Sequence, residues 1–126
     1  IADVPRHRGE IGRAALVTAD TLLFLVPAEV RATMAADALA TDLRDQLSDT
    51  RLIVTGPAPG GVTPEAVSRA LDLPLSGVLQ RDRKTATALE EGGIAASMRR
   101  GPLADLCKQL VPTLGQEPVT IQAEAA

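Results

Sequence analysis

Apolar residues fall in short blocks along the chain, and the period changes from block to block. Leu22 to Val26 is an unbroken apolar run of strand length. A run without polar alternation predicts a strand covered on both faces, as in parallel sheets flanked by helices. Pro27 ends it. Beyond it Val30, Met34, Ala35, Leu39, Leu43 and Leu47 recur at helical spacing, whereas Arg31, Asp37, Thr41, Arg44 and Asp45 fall largely elsewhere. The pattern predicts an amphipathic helix that lays the first set on the sheet, with Glu29 in a first turn whose dipole favours a carboxylate.

The remaining blocks repeat the alternation. Arg51 to Thr55 reads as a second strand, and Ser76 to Leu79, led in by Leu73-Pro74-Leu75, as a third. Short helices are expected over Ile11 to Ala19, from Pro64 to Leu71 with Thr63 as N-cap, and from about Thr85 to Glu91 before Gly92-Gly93. A last helix starts at Pro102, carries Leu103, Leu106, Cys107, Leu110 and Val111 on one stripe, and stops at Pro112. Strands alternating with helices imply right-handed βαβ units, hence an α/β fold with a parallel βαβ sheet flanked by helices. One domain is expected over residues 1–114. Residues 115–126, polar and acidic without periodicity, read as a disordered tail.

Composition narrows the picture. The chain of 126 residues is long enough for one modest core, and its 45% hydrophobic and 23% charged residues are those of a globular protein. Phe24 is its one aromatic residue, so the core is built of Leu, Val, Ile and Ala. A net charge of −3 gives no general attraction to nucleic acid, whose backbone is held by a concentrated basic surface. The single Cys107 excludes an intrachain disulfide and fits a reducing cytoplasm. No apolar run reaches the roughly 18 residues of a spanning helix. The last helix sets Asp105 beside Lys108, not the basic face of a membrane-surface helix.

Ligands of an open parallel sheet gather beyond the carboxyl ends of its strands. The segments there are Pro5 to Glu10, Pro27 to Glu29, Gly56 to Gly61 and Gln80 to Lys84. Two carry clustered cations: Arg6, His7 and Arg8 in one, Arg81, Arg83 and Lys84 in the other. They suggest an anion site for phosphate, nucleotide or an acidic partner, against the plainer reading of solvated loop charge. Ile1-Ala2-Asp3-Val4-Pro5, with no initiator Met, reads as the tail of a strand ending on a carboxylate. Such a carboxylate can hold Mg²⁺ through water; an Asp at that place can also simply start a turn.

Other chemistry finds little support. No carboxylate orients His7 in sequence, and Cys107 reads as a small core residue. Gly56-Pro57-Ala58-Pro59-Gly60-Gly61 is glycine-rich, but its two prolines remove amide donors that an anion cradle needs. The Gly-x-x-x-x-Gly-Lys-Ser/Thr phosphate loop is absent, as are zinc-ligand spacing, a Ser-His-Asp set and an aromatic stacking platform.

The order of segments resembles the back half of MinD/ParA-type ATPases. The resemblance is carried by Asp3-Val4-Pro5, by Ala19-Asp20 leading into the apolar strand, by Val26-Pro27-Ala28-Glu29-Val30-Arg31 and by Ala36-Asp37. It continues in Leu73-Pro74-Leu75-Ser76-Gly77-Val78-Leu79, Asp82 and Ala88-Leu89-Glu90-Glu91-Gly92, and covers about residues 1–111. Gly56 to Gly61 and Arg100-Gly101-Pro102-Leu103 look like the actinobacterial branch of septum-site-determining (Ssd) and CpaE/TadZ-like pilus-localisation proteins.

The resemblance implies a partial P-loop NTPase-like domain lacking the P-loop strand, and a role in positioning cell division. It implies that Asp3 matches the Walker B carboxylate and that Arg81, Asp82 and Arg83 lie near a nucleotide base. ATP and Mg²⁺ are then expected as cofactors of an intact, longer protein, with no ATP hydrolysis by these residues alone. Expected partners are cell-division or pilus-assembly proteins, or a second copy. Thr55-Gly56 stands where these ATPases usually have Asn-Arg, and Gln80 replaces their usual Pro. The alternative is accordingly a non-enzymatic scaffold.

Overall fold

The computed structural model describes residues 1–5, 9–44, 49–57, 60–93, 95 and 99–114. Helix α1 (Glu10–Thr18) leads to strand β1 (Leu22–Pro27), and helix α2 (Val30–Arg44) connects it to β2 (Thr50–Thr55). Helix α3 (Pro64–Leu71) leads on to β3 (Leu75–Leu79). Helix α4 (Arg83–Glu90), helix α5 (Pro102–Leu110) and a 3₁₀ turn (Val111–Thr113) complete the order.

The three strands form one parallel sheet in the order β1-β2-β3. Leu22 pairs with Thr50, and the register runs unbroken to Pro27 opposite Thr55. Between β2 and β3 it slips: Leu52 faces Leu75 but Ile53 faces Gly77, so Ser76 is the extra residue of a bulge.

One face of the sheet carries α2 and α3. Val26, Ala28, Ala36, Leu52, Val54, Val67, Leu71 and Leu75 are buried together there, with Phe24, Val62 and Leu73 packed against them. Thr63 caps α3 as expected, its hydroxyl accepting from the Ala66 N–H at 3.2 Å, and Pro64 opens the first turn. Helix α5 covers the other face. Its Leu106 and Leu110 close over Ile53, with Leu79 alongside. Gly77 makes that approach possible, because a Cβ on it would collide with Leu106 Cδ1.

Two apolar patterns resolve differently from the expectation. The face of α2 that meets the sheet is Thr33, Ala36, Ala40 and Leu43, whereas Val30 and Met34 are 56% and 71% exposed. Small residues let the helix settle close to the sheet, and the Thr33 hydroxyl is satisfied by donating to the Glu29 carbonyl at 2.8 Å. In β1, Leu23 and Leu25 are exposed. The strand lies at the sheet's edge, and α5 covers β3 and Ile53 without reaching it.

The ends also differ. Residues 1–5 form no strand, so Asp3 does not end one; among the described residues nothing pairs with that segment as a neighbouring strand. Val111 is exposed and belongs to the 3₁₀ turn, not to the buried stripe of α5. Leu47 and the tail from Gly115 onward lie outside the described residues.

Candidate functional site

Parallel strands point their carboxyl ends the same way, and β3 delivers Gln80, Arg81 and Asp82 to that rim. Asp82 is the N-cap of α4. Its Oδ1 accepts from the Lys84 N–H at 2.9 Å, satisfying a backbone donor that the first helical turn leaves open, and its Oδ2 accepts from the Thr85 hydroxyl at 3.1 Å. The carboxylate is thus committed to its own helix. Arg81, Arg83 and Lys84 around it are exposed.

A second basic pair meets this rim. Gly101, the N-cap of α5, has φ of 109°, a conformation that favours glycine. The position a Cβ would take on it lies 3.4 Å from Asp82 Oδ2. Arg99 and Arg100, immediately before Gly101, are therefore carried toward the cations that start α4. Nothing in linear spacing links Arg100 to Asp82, so the sequence alone does not join this pair to the basic rim. Among the described residues the side chains of Arg81, Arg83, Lys84, Arg99 and Arg100 form no ion pair.

Asp3 sits elsewhere. Its neighbour Val4 packs on Leu16, Leu43, Ala19 and Leu22, a cluster at the amino end of β1. Asp3 is exposed beside that cluster, and the structure does not bring it together with Arg81, Asp82 and Arg83. Mg²⁺ asks for near-octahedral oxygen ligands. Among the described residues no group of three His, Cys, Asp or Glu side chains could hold a metal. These residues do not fit a Mg²⁺ site by themselves. Arg6, His7 and Arg8 lie outside the described residues, and Cys107 is half-buried on α5.

Two further features have no counterpart in the sequence reading. Val30, Met34 and Asp37 of α2 and Val62, Ala66 and Ala70 on the α3 side line an apolar groove of about 310 Å³. At the amino end of β2, Arg51 is only 1% exposed and holds Asp49 through Nε to Oδ1 at 2.9 Å and Nη2 to Oδ2 at 3.0 Å. Its Nη1 also donates to the Thr113 hydroxyl at 2.9 Å, tying the 3₁₀ turn to the sheet. Burial raises the pKa of Asp49, but the hydrogen bonds from Arg51 and Thr21 and the Arg51 charge outweigh it and hold the carboxyl below its usual range. This pair is a structural anchor remote from the basic rim.

Comparison with solved structures assigns the architecture. A chain of the MinC:MinD cell division protein complex of Aquifex aeolicus superposes with a TM-score of 0.70 at 16% identity, over 91% of this chain and 50% of that one. The ParA family ATPase of Chlorobium tepidum TLS gives 0.66 at 14% identity, over 81% of this chain and 45% of that one. The chain has the MinD/ParA fold. No family model matches the sequence. Two curated proteins of Mycobacterium tuberculosis do: uncharacterized protein MT3760 of strain CDC 1551 / Oshkosh and uncharacterized protein Rv3660c of strain ATCC 25618 / H37Rv. Each is 32% identical over 114 residues, 90% of this chain. The chain spans about a third of their length, 32%. Among the described residues no helix is long and apolar enough to cross a membrane.

Proposed function

We propose that the chain is the C-terminal portion of a MinD/ParA-like protein that regulates the positioning of cell division, with nucleotide state controlling partner binding in the intact molecule. The observation that carries this reading is the superposition of 91% of the chain on half of a chain from the MinC:MinD complex. The sheet itself supports a larger domain. Among the described residues strand β1 pairs only with β2, and Leu23 and Leu25 leave an uncovered apolar strip beside its free edge. Further strands and a covering helix would bury both.

In that intact protein ATP and Mg²⁺ would be held chiefly by residues outside this chain, which has no phosphate loop. Arg81 and Arg83 would lie on the base side. Asp3 could reach a metal only with its segment drawn into the sheet as a strand. The cytoplasm is the compartment this role requires.

The test places a fluorescent fusion of the longer protein in the native host beside a deletion strain. Enrichment at division sites and altered septum spacing in the deletion are expected. Uniform distribution with normal septa would overturn the reading. Polar foci with lost pili and normal septa would instead favour the pilus-localisation branch. Normal function of a protein whose phosphate loop has been ablated would favour the non-enzymatic scaffold.

A further inference from the structure

The α2–α3 groove and the open face of β1 are apolar surfaces whose occupant nothing in the fold specifies, and Cys107 is a lone, half-buried thiol. The basic rim goes further. Two segments about 18 residues apart in sequence, Arg81 to Lys84 and Arg99-Arg100, meet where Gly101 approaches Asp82. Five cations thus lie within two residues of Asp82 or Gly101, and the Asp82 carboxylate already accepts two hydrogen bonds from its own helix. All five are exposed, none forms an ion pair among the described residues, and the chain as a whole carries a net charge of −3. An acidic protein that leaves this many cations unpaired on one rim has local attraction for anions without general attraction for polyanions.

We propose that this rim is a docking surface for an acidic peptide segment of a partner protein, with Arg99 and Arg100 as binding residues alongside Arg81, Arg83 and Lys84. Three features select this occupant. A duplex long enough to reach beyond five cations meets a chain that is negative overall, and the rim segments Gln80 to Lys84 and Arg99 to Gly101 hold no aromatic side chain to stack on a single strand. A bilayer surface asks for apolar side chains beside the basic ones, and Gln80 to Lys84 and Arg99 to Gly101 contain none. A short acidic segment needs only the rim, whose guanidinium groups can each take a carboxylate in two-pronged geometry. The surface stands independently of the nucleotide reading, although both use Arg81 and Arg83.

The experiment titrates a ten-residue Glu/Asp peptide into the full chain at low salt by calorimetry. Parallel arms use a duplex oligonucleotide of matched charge, anionic phosphatidylserine vesicles and Mg-ATP. Saturable peptide binding that weakens with added salt is expected, and Arg99→Ser with Arg100→Ser should weaken it by roughly tenfold, two exposed charge pairs' worth. Arg13→Ser with Arg69→Ser, exposed arginines away from the rim, should leave it unchanged. Circular dichroism checks that each variant is folded. No peptide binding, equal binding by the Arg99/Arg100 variant, or tighter binding of duplex or vesicles at the same salt would overturn the proposal. Mg-ATP binding without peptide binding would overturn it while leaving the nucleotide reading in place; peptide binding without Mg-ATP binding would support it, the nucleotide reading being tested on the longer protein.

Discussion

Arg51 and Asp49 form a two-pronged ion pair at the amino end of β2, with the guanidinium almost wholly buried and the carboxylate also accepting from Thr21 at 2.7 Å. Removing either partner leaves a buried or half-buried charge uncompensated. We expect Arg51→Met and Asp49→Asn each to destabilise the chain by about 3 kcal/mol, read from urea midpoints. The pH dependence has a definite sign. The folded-state pKa of Asp49 is depressed, so its contribution is complete above the unfolded value near ~4 and is lost as pH falls through the folded one. Acid titration of stability should therefore show a loss below about pH 4 that Asp49→Asn lacks. Identical acid profiles would contradict the pairing.

Ser76 and Gly77 make opposite predictions at adjacent positions of β3. The Ser76 hydroxyl is buried with no hydrogen-bond partner among the described residues, so Ser76→Ala should be neutral or stabilise by up to about 1 kcal/mol. Gly77 faces Leu106, whose flexible end can yield to one methyl but not to a branched side chain. Gly77→Val should cost about 1–3 kcal/mol by displacing α5, seen as a lower melting temperature. A destabilised Ser76→Ala would mean that the hydroxyl has a partner.

Asp82 is a cap before it is anything else. Asp82→Ala should lower helix content at α4 and cost about 1 kcal/mol, whereas Asp82→Asn should retain most of the stability. Amide exchange at Lys84 reports it directly. Unchanged protection in Asp82→Ala would sink the capping assignment.

The free edge of β1 predicts association. Leu25 is 57% exposed on the uncovered face of a strand with one open side, so the isolated chain should self-associate at high concentration. Leu25→Lys should reduce this in light scattering without lowering stability. Equal association by the variant would place the contact elsewhere.

The sequence carried the alternation of strands and helices plainly, because Leu22 to Val26 and the Thr63-Pro64 start depend on local period and capping. It could not show which strand lies at the edge. Leu23 and Leu25 belong to a run that reads as buried on both faces, and only the sheet order, with α5 seated over Ile53, leaves them open. Helix α2 misled for a related reason. Val30 and Met34 look like core by hydropathy, but close approach to the sheet selects Thr33, Ala36 and Ala40. At the candidate site, Arg81, Asp82 and Arg83 were visible as a basic loop, while Arg99 and Arg100 joined them only through the approach of Gly101 to Asp82. The pattern around Asp3 is that of a strand end, but among the described residues that segment has no strand beside it to pair with.

Calorimetry of Mg-ATP on the longer protein tests the proposal that this chain is part of a nucleotide-linked MinD/ParA-like protein. Saturable binding is expected, weakened in Arg81→Ser with Arg83→Ser. Absence of any Mg-ATP-dependent heat or thermal shift in a folded longer protein would contradict it.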